Sequence, residues 1–324
     1  MKDFYSRVLV PVTLVLTGAM VQGQAVGAPA DPTSDDGGAM AAAYAAALAT
    51  ETASGYSASF AGAAEVTDEA LYLEGVNVSG SKRMTAAEFK RLSALRDPGA
   101  AGNATEVIIG VDRRERVYTT YFPSRARVLI TFTGGRCSGN LIGSNTVVTA
   151  GHCVHTGGSS GAWRPRTSFK VYAGANGSST PYGYCTAKSL HSVVGWTSSA
   201  NEEYDYGAIK LNCTVGNTVG FYGYTTDYPS GFPAVVGGYP GDKPLEQWVH
   251  GDKVRAFTTN QIFYSNDTTP GSSGSGVWWD KAGAILIGVH AYGTHGSGSH
   301  ALYNHGIRIT SSVASNFNTW KSLP

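Results

Sequence analysis

From residue 107 onward, apolar residues come in short runs rather than at helical spacing. Val128-Leu129-Ile130-Thr131-Phe132, Thr146-Val147-Val148-Thr149-Ala150 and Ala284-Ile285-Leu286-Ile287-Gly288-Val289 are typical, with Gly, Asn, Asp and Pro clusters between them. Short β-branched runs between turn residues predict an all-β barrel or sandwich. The C-terminus is different. Val313, Phe317 and Trp320 fall at i, i+4 and i+7 after Thr310-Ser311, which predicts a short capped helix. Residues 31–106 have another character, Ala-rich and acidic, without Cys or Trp. Ala41-Ala42-Ala43 and Ala45-Ala46-Ala47 favour helix, and Thr85-Ala86-Ala87-Glu88 has the form of a capping box. At the start, Lys2 and Arg7 precede an apolar stretch from Val8 to about Val21, followed by Ala28-Pro29-Ala30. That pattern predicts a signal peptide; a membrane anchor would be longer and not interrupted by Pro11. The expected organisation is therefore a signal peptide over 1–30, a propeptide over 31–106 and a folded domain over 107–324, secreted and not membrane-bound.

Composition narrows the class. Forty-two glycines with only 15% charged residues suit a β-rich extracellular protein. A net charge of +1 gives no basis for a nucleic-acid or membrane-surface partner. From residue 107 on there are 17 basic and 11 acidic residues, against 7 and 12 before it. An acidic leader on a basic domain is consistent with the propeptide acting as an inhibitor. Cys137, Cys153, Cys185 and Cys213 make an even count after a signal peptide, which predicts two disulfides; without a Cys-x-x-Cys pair they do not suggest a zinc site.

Three motifs carry candidate chemistry: Thr149-Ala150-Gly151-His152-Cys153, Tyr204-Asp205-Tyr206-Gly207, and Gly271-Ser272-Ser273-Gly274-Ser275-Gly276. Singly, they are a histidine, a turn aspartate and a Gly-Ser loop. Together they supply what nucleophilic catalysis requires. A serine hydroxyl needs a base to take its proton, and His152 is the candidate. Asp205 would fix the imidazole tautomer, and the N–H groups of Gly271 and Ser273 would meet the developing oxyanion. The order His, Asp, Ser differs from those of subtilisin and the α/β-hydrolases.

The chain resembles chymotrypsin-fold serine proteases, most closely the bacterial glutamyl endopeptidases. Thr149 to Cys153 resembles their histidine motif. Asn201 to Ile209, Gly238-Tyr239-Pro240-Gly241-Asp242-Lys243, Asp267-Thr268-Thr269, Gly288-Val289-His290 and Tyr303-Asn304-x-Gly306-x-Arg308 resemble further segments. The resemblance spans 107–324 and implies two six-stranded antiparallel β-barrels with the active site between them. It implies a Cys137–Cys153 disulfide, with Cys185 and Cys213 left unassigned. It also implies endopeptidase action on protein or peptide substrates, preferably after Glu with Asp as the alternative, with Thr268 and His290 as ligands for the substrate carboxylate and the Val107 amine assisting once the chain is cut after Glu106. No cofactor or metal is implied, and a monomer is expected. Departures are Ser272, where animal digestive proteases have Asp, and Pro270 and Gly276, where the resembling enzymes usually have Gly and Pro.

Two alternatives remain at this level. Asp267 lies six residues before Ser273, where trypsin-like enzymes cutting after Lys or Arg carry their pocket acid, although the glutamyl enzymes carry Asp there too. A non-catalytic binding protein on the same fold would be expected to have lost part of the triad. His290, His295, His300 and His305 recur every five residues, which alternates faces on a strand and drifts around a helix, so no metal site is expected from them. Sequons occur at Asn77, Asn103, Asn176, Asn212 and Asn266.

Overall fold

The computed structural model describes residues 63–67, 82–98, 106–228, 231–279 and 284–324. The predicted signal peptide, the Ala-rich stretch and two sequons, Asn77 and Asn103, lie outside them.

The apolar runs form twelve main strands. The first six are β1 (Arg127–Phe132), β2 (Gly135–Leu141), β3 (Thr146–Thr149), β4 (Lys170–Ala173), β5 (Ala187–Val193) and β6 (Gly207–Leu211), in spatial order β5-β6-β3-β2-β1-β4. The two edges of this sheet meet at one bridge, Val171 to Cys185. The second six are β7 (Pro233–Gly238), β8 (Trp248–Phe257), β9 (Gln261–Tyr264), β10 (Gly276–Trp279), β11 (Ile285–Tyr292) and β12 (Asn304–Arg308). Their order is β11-β10-β7-β8-β9-β12, and pairing of β12 back onto β11 closes the ring. The expected two six-stranded barrels are present, one fully closed and the other sealed only by the Val171–Cys185 bridge.

Both cores combine aliphatic and aromatic side chains. Val128, Ile130, Val147, Leu190 and Ile209 fill the first; Val236, Val254, Ile262, Val277 and Ile287 fill the second. The predicted C-terminal helix α2 (Ser311–Ser322) begins where Thr310 accepts from Val313 N, and it buries Val313, Phe317 and Trp320. These aromatics pack on Tyr206 of the first barrel, and Asn316 donates to the Tyr206 hydroxyl at 2.7 Å, so the helix braces the residue next to Asp205. Both cysteine pairs are bridged, Cys137–Cys153 and Cys185–Cys213. The second closes the β5–β6 unit around the loop that carries Asp205.

Residues upstream of 107 dock on this body. Ala63–Thr67 adds an antiparallel strand to β5, and Lys82–Arg83 pairs with Ser179–Thr180. Helix α1 (Ala86–Ser93) starts at the predicted cap, Thr85 accepting from Glu88 N. Met84 and Leu92 are buried against Leu129, Tyr172 and Ala175 of the first barrel and against Tyr239 and Leu245 beyond β7. Lys170 donates to Glu88 on the same helix.

Candidate active site

His152 occupies the short 3-10 turn Gly151–Cys153 after β3, tied to β2 by the Cys137–Cys153 bridge. Gly151 is required there: a Cβ would come within 2.8 Å of the Trp196 ring and 2.9 Å of Asp205 Oδ1. Asp205 ends the Glu202–Tyr204 turn and is fully buried. Its Oδ1 accepts from His152 N at 2.7 Å, and its Oδ2 lies 2.7 Å from His152 Nδ1. Two acceptors on one residue fix the ring, place its proton on Nδ1 and turn Nε2 toward the cleft.

Ser273 stands on the turn between β9 and β10. Gly271 has φ +106°, and a Cβ on it would meet Tyr239 O and Gly241 N at 2.8 Å. Gly274 also has positive φ and lies against Ser138 and Thr149 of the first barrel. Ser138 N donates to Ser273 O and Ser138 Oγ to Gly271 O, each at 2.8 Å, so the turn from one barrel is hydrogen-bonded to a strand of the other. At Gly276, where the resembling enzymes have Pro, the N–H donates to Asn140 Oδ1 at 2.7 Å.

The site is filled by the chain's own carboxyl groups. Ser273 Oγ donates to Glu106 Oε1 at 2.7 Å, and His290 Nε2 lies 3.2 Å from the same oxygen. The Tyr264 hydroxyl bonds His290 Nδ1 at 2.6 Å. Burial among its neighbours keeps the tyrosine protonated by raising its pKa well above the usual range, so it donates to Nδ1 and leaves Nε2–H facing the carboxyl. Burial raises the Glu106 pKa, and His290 opposes the shift only in part. A second carboxyl, Asp97, accepts from Gly271 N at 2.7 Å through Oδ2 and places Oδ1 3.4 Å from His152 Nε2. Burial pulls the His152 pKa down, but Asp205 and then Asp97 outweigh it and raise it to about 10.

Asp205 holds His152, Asp97 spans His152 and Gly271, and Glu106 spans Ser273 and His290, so these residues gather at one seam. Thr268 does so differently: its N–H donates to Val107 O at 3.2 Å, while its hydroxyl has no hydrogen-bond partner and does not reach the Glu106 carboxyl. Val107 carries no free amine here, being joined to Glu106; its N–H and C=O are held by the Asn304 side-chain amide. Asp267 is not a pocket floor. Its carboxylate accepts from the N–H groups of Ile109 and Arg113 at 2.8 and 3.0 Å. Buried Arg114 joins Asp112, Asp242 and Thr269, fixing the segment after Val107 beside the Ser273 turn and lowering the Asp112 pKa to about 2 through its hydrogen bonds. Asn266 is buried and donates to Ala234 O and His250 O, so no glycan fits on it in the folded chain.

Sequence reasoning missed Asp97, Tyr264 and Arg114. Asn304 lay in a motif already singled out, without a role. Only Arg114 had a usable signal, since a buried guanidinium needs carboxylates such as those of Asp112 and Asp242.

Two packed barrels with a His, an Asp and a Ser at their seam define a chymotrypsin-fold serine endopeptidase. Comparison with known proteins specifies the relationship. Residues 113–320 match the trypsin family, and the chain belongs to it. It is 39% identical over 245 residues to the glutamyl endopeptidase of Bacillus licheniformis, covering 72% of this chain and 75% of that one. It is 40% identical over 226 residues to a Bacillus subtilis protein named extracellular metalloprotease, covering 66% and 69%. A solved Glu endopeptidase in complex with MPD superposes with a TM-score of 0.61 at 30% identity, covering 67% of this chain and all of that one.

Proposed function

We propose that this chain is a secreted endopeptidase that cuts after Glu, and that its residues 31–106 hold it inactive until removed. The observation that carries the reading is the Glu106 carboxyl, buried between Ser273 Oγ and His290 Nε2. A pocket that accepts the chain's own Glu side chain beside the nucleophile suits a substrate Glu at the same place. The trypsin-like alternative lacks its acid, because Asp267 is engaged by backbone N–H groups. A serine route is assigned here although one relative is named a metalloprotease, because His152 and Asp205 already hold the geometry of a base and its orienting carboxylate.

In the reaction, His152 Nε2 takes the Ser273 proton as Oγ attacks the substrate carbonyl. Asp205 stabilises the imidazolium, and the Gly271 and Ser273 N–H groups receive the oxyanion. His152 returns the proton to the leaving amine, and water then hydrolyses the acyl-enzyme. Two contacts block these steps in the uncut chain. Asp97 occupies the Gly271 donor, and Glu106 takes the Ser273 hydroxyl away from His152. Cleavage after Glu106 would free Val107, whose ammonium would then sit beside the pocket on Asn304. Because Glu106 meets Ser273 through its side chain rather than its peptide carbonyl, a second molecule makes the cut. Residues 1–30 and the two disulfides support export.

Digestion of a mixed peptide library by the protein starting at Val107 tests the specificity. Cuts should follow Glu; an even spread over Leu, Arg and Glu would overturn it.

A further inference from the structure

The histidines downstream of His290 come together in a way their even spacing does not suggest. They do not share one strand. His295 lies in the loop after β11, His300 in the turn Ser299–Leu302, and His305 on β12, where it pairs with Phe263 and Tyr292. His295 N donates to His300 O at 2.7 Å, folding the loop back on itself. The three rings then lie 4.9–5.1 Å apart in pairs. His290 points instead to the pocket.

A fourth group reaches the cluster from the other side of the cleft. Glu202 opens the turn that ends at Asp205. Its Oε2 lies 3.1 Å from His295 Nε2 and its Oε1 3.2 Å from His300 Nε2. One donor atom from each of Glu202, His295, His300 and His305 lies within 4.8 Å of all the others. Donors about 2.0–2.2 Å from a tetrahedral ion are roughly 3.5 Å apart, so small side-chain rotations close the set.

An ion pair between Glu202 and two half-exposed histidines would be unremarkable on its own. His305 makes the difference. It is fully buried, its ring stacks between Phe263 and Tyr292, and apart from a contact with the Tyr303 backbone its nitrogens have no hydrogen-bond partner. Buried polar groups are rarely left so, and a metal ion would satisfy this one. Gln261 already donates to Glu202 Oε1 at 3.2 Å, as an orienting group does; its other contact, Oε1 to His300 Nε2 at 3.0 Å, would give way to the ion.

We propose that Glu202, His295, His300 and His305 form a four-ligand site for a divalent transition-metal ion of the zinc class, cross-linking the two barrels behind Asp205. Three imidazoles and one carboxylate suit zinc, whereas calcium requires six to eight oxygens. Four protein ligands leave no open position, so the role is structural. The ion would clip the Asp205 turn to the β11–β12 loop, where Tyr292 stacks on His305 and also bonds Asp205.

The test uses the full-length secreted chain carrying Ser273→Ala, stripped with chelator and titrated by calorimetry with zinc, cobalt and calcium. One zinc per chain should bind with a Kd below about 1 μM and raise the Tm. Cobalt should give the visible absorption of a four-coordinate ion, and calcium should do neither. His295→Ala and His300→Ala remove half-exposed side chains, so they should fold and lose at least about 100-fold in zinc affinity. His305→Phe, which keeps the ring stack, should abolish the cobalt spectrum. No zinc binding at about 100 μM, or equal binding by wild type and His300→Ala, would overturn the site. None of these readouts depends on Glu specificity or on catalysis.

Discussion

Asp97 offers the sharpest test of the proposed restraint by the upstream segment. The perturbation is Asp97→Asn in a Ser273→Ala chain, which stays uncut. Asn keeps an oxygen for the Gly271 N–H, now 2.7 Å from Asp97 Oδ2, but removes the charge 3.4 Å from His152 Nε2. Burial alone would depress the His152 pKa; Asp205 and Asp97 together raise it to about 10. With Asp205 alone left, it should fall, because burial still favours the neutral ring and one of the two opposing charges is gone. The sign for stability follows. A folded pKa above the unfolded value of about 6.5 stabilises fully below that value, and the gain is lost as pH rises through the folded pKa. The uncut chain should therefore lose stability between about pH 6.5 and 10. In Asp97→Asn that loss should be smaller and finish at lower pH. NMR titration of the imidazolium N–H, with thermal melts across the same pH range, reads both. An unchanged His152 pKa in Asp97→Asn would refute the contact.

Other outcomes follow from the same geometry. Ser273→Ala and His152→Ala should each lower kcat by about 10⁶, and the double variant by no more, because the two act as one unit; a Ser273→Ala enzyme retaining a tenth of activity would end the assignment. His290→Ala should cost Glu substrates at least about 100-fold in kcat/KM and Leu substrates far less, and equal losses would remove its pocket role. Conversion of the precursor should quicken with protein concentration, and Ser273→Ala precursor should be cut after Glu106 only when active enzyme is added; a half-time independent of concentration would show cleavage within one molecule. Thr310→Ala should destabilise by about 1 kcal/mol in denaturant melts through loss of the α2 cap, and no change would mean the hydroxyl contributes nothing.

What was legible in the sequence was local or carried by motifs. The apolar runs became β1, β3 and β11, and the i, i+4, i+7 pattern became α2, because each depends on side-chain periodicity within one element. The positions of His152, Asp205 and Ser273 followed from order and motif. Long-range pairings were not legible. Nothing near Asp97 marks a residue that reaches the Gly271 N–H 174 positions away. The hold of the Thr268 N–H on Val107 O in the uncut chain was likewise not legible. The evenly spaced histidines were discounted on the assumption of one continuous element, whereas a turn and a strand change divide the run.

The contact of Met84 and Leu92 with both barrels bears on how the protein is made. Leu129 and Tyr172 belong to one barrel, and Tyr239 and Leu245 to the far side of the seam. The upstream segment thus lays one apolar surface across both halves, which the Ser138 hydrogen bonds also join. If that segment is removed, as proposed above, the seam loses this shared surface. A cleaved enzyme unfolded in denaturant should therefore regain activity slowly after dilution, and faster when a peptide spanning residues 82–98 is supplied.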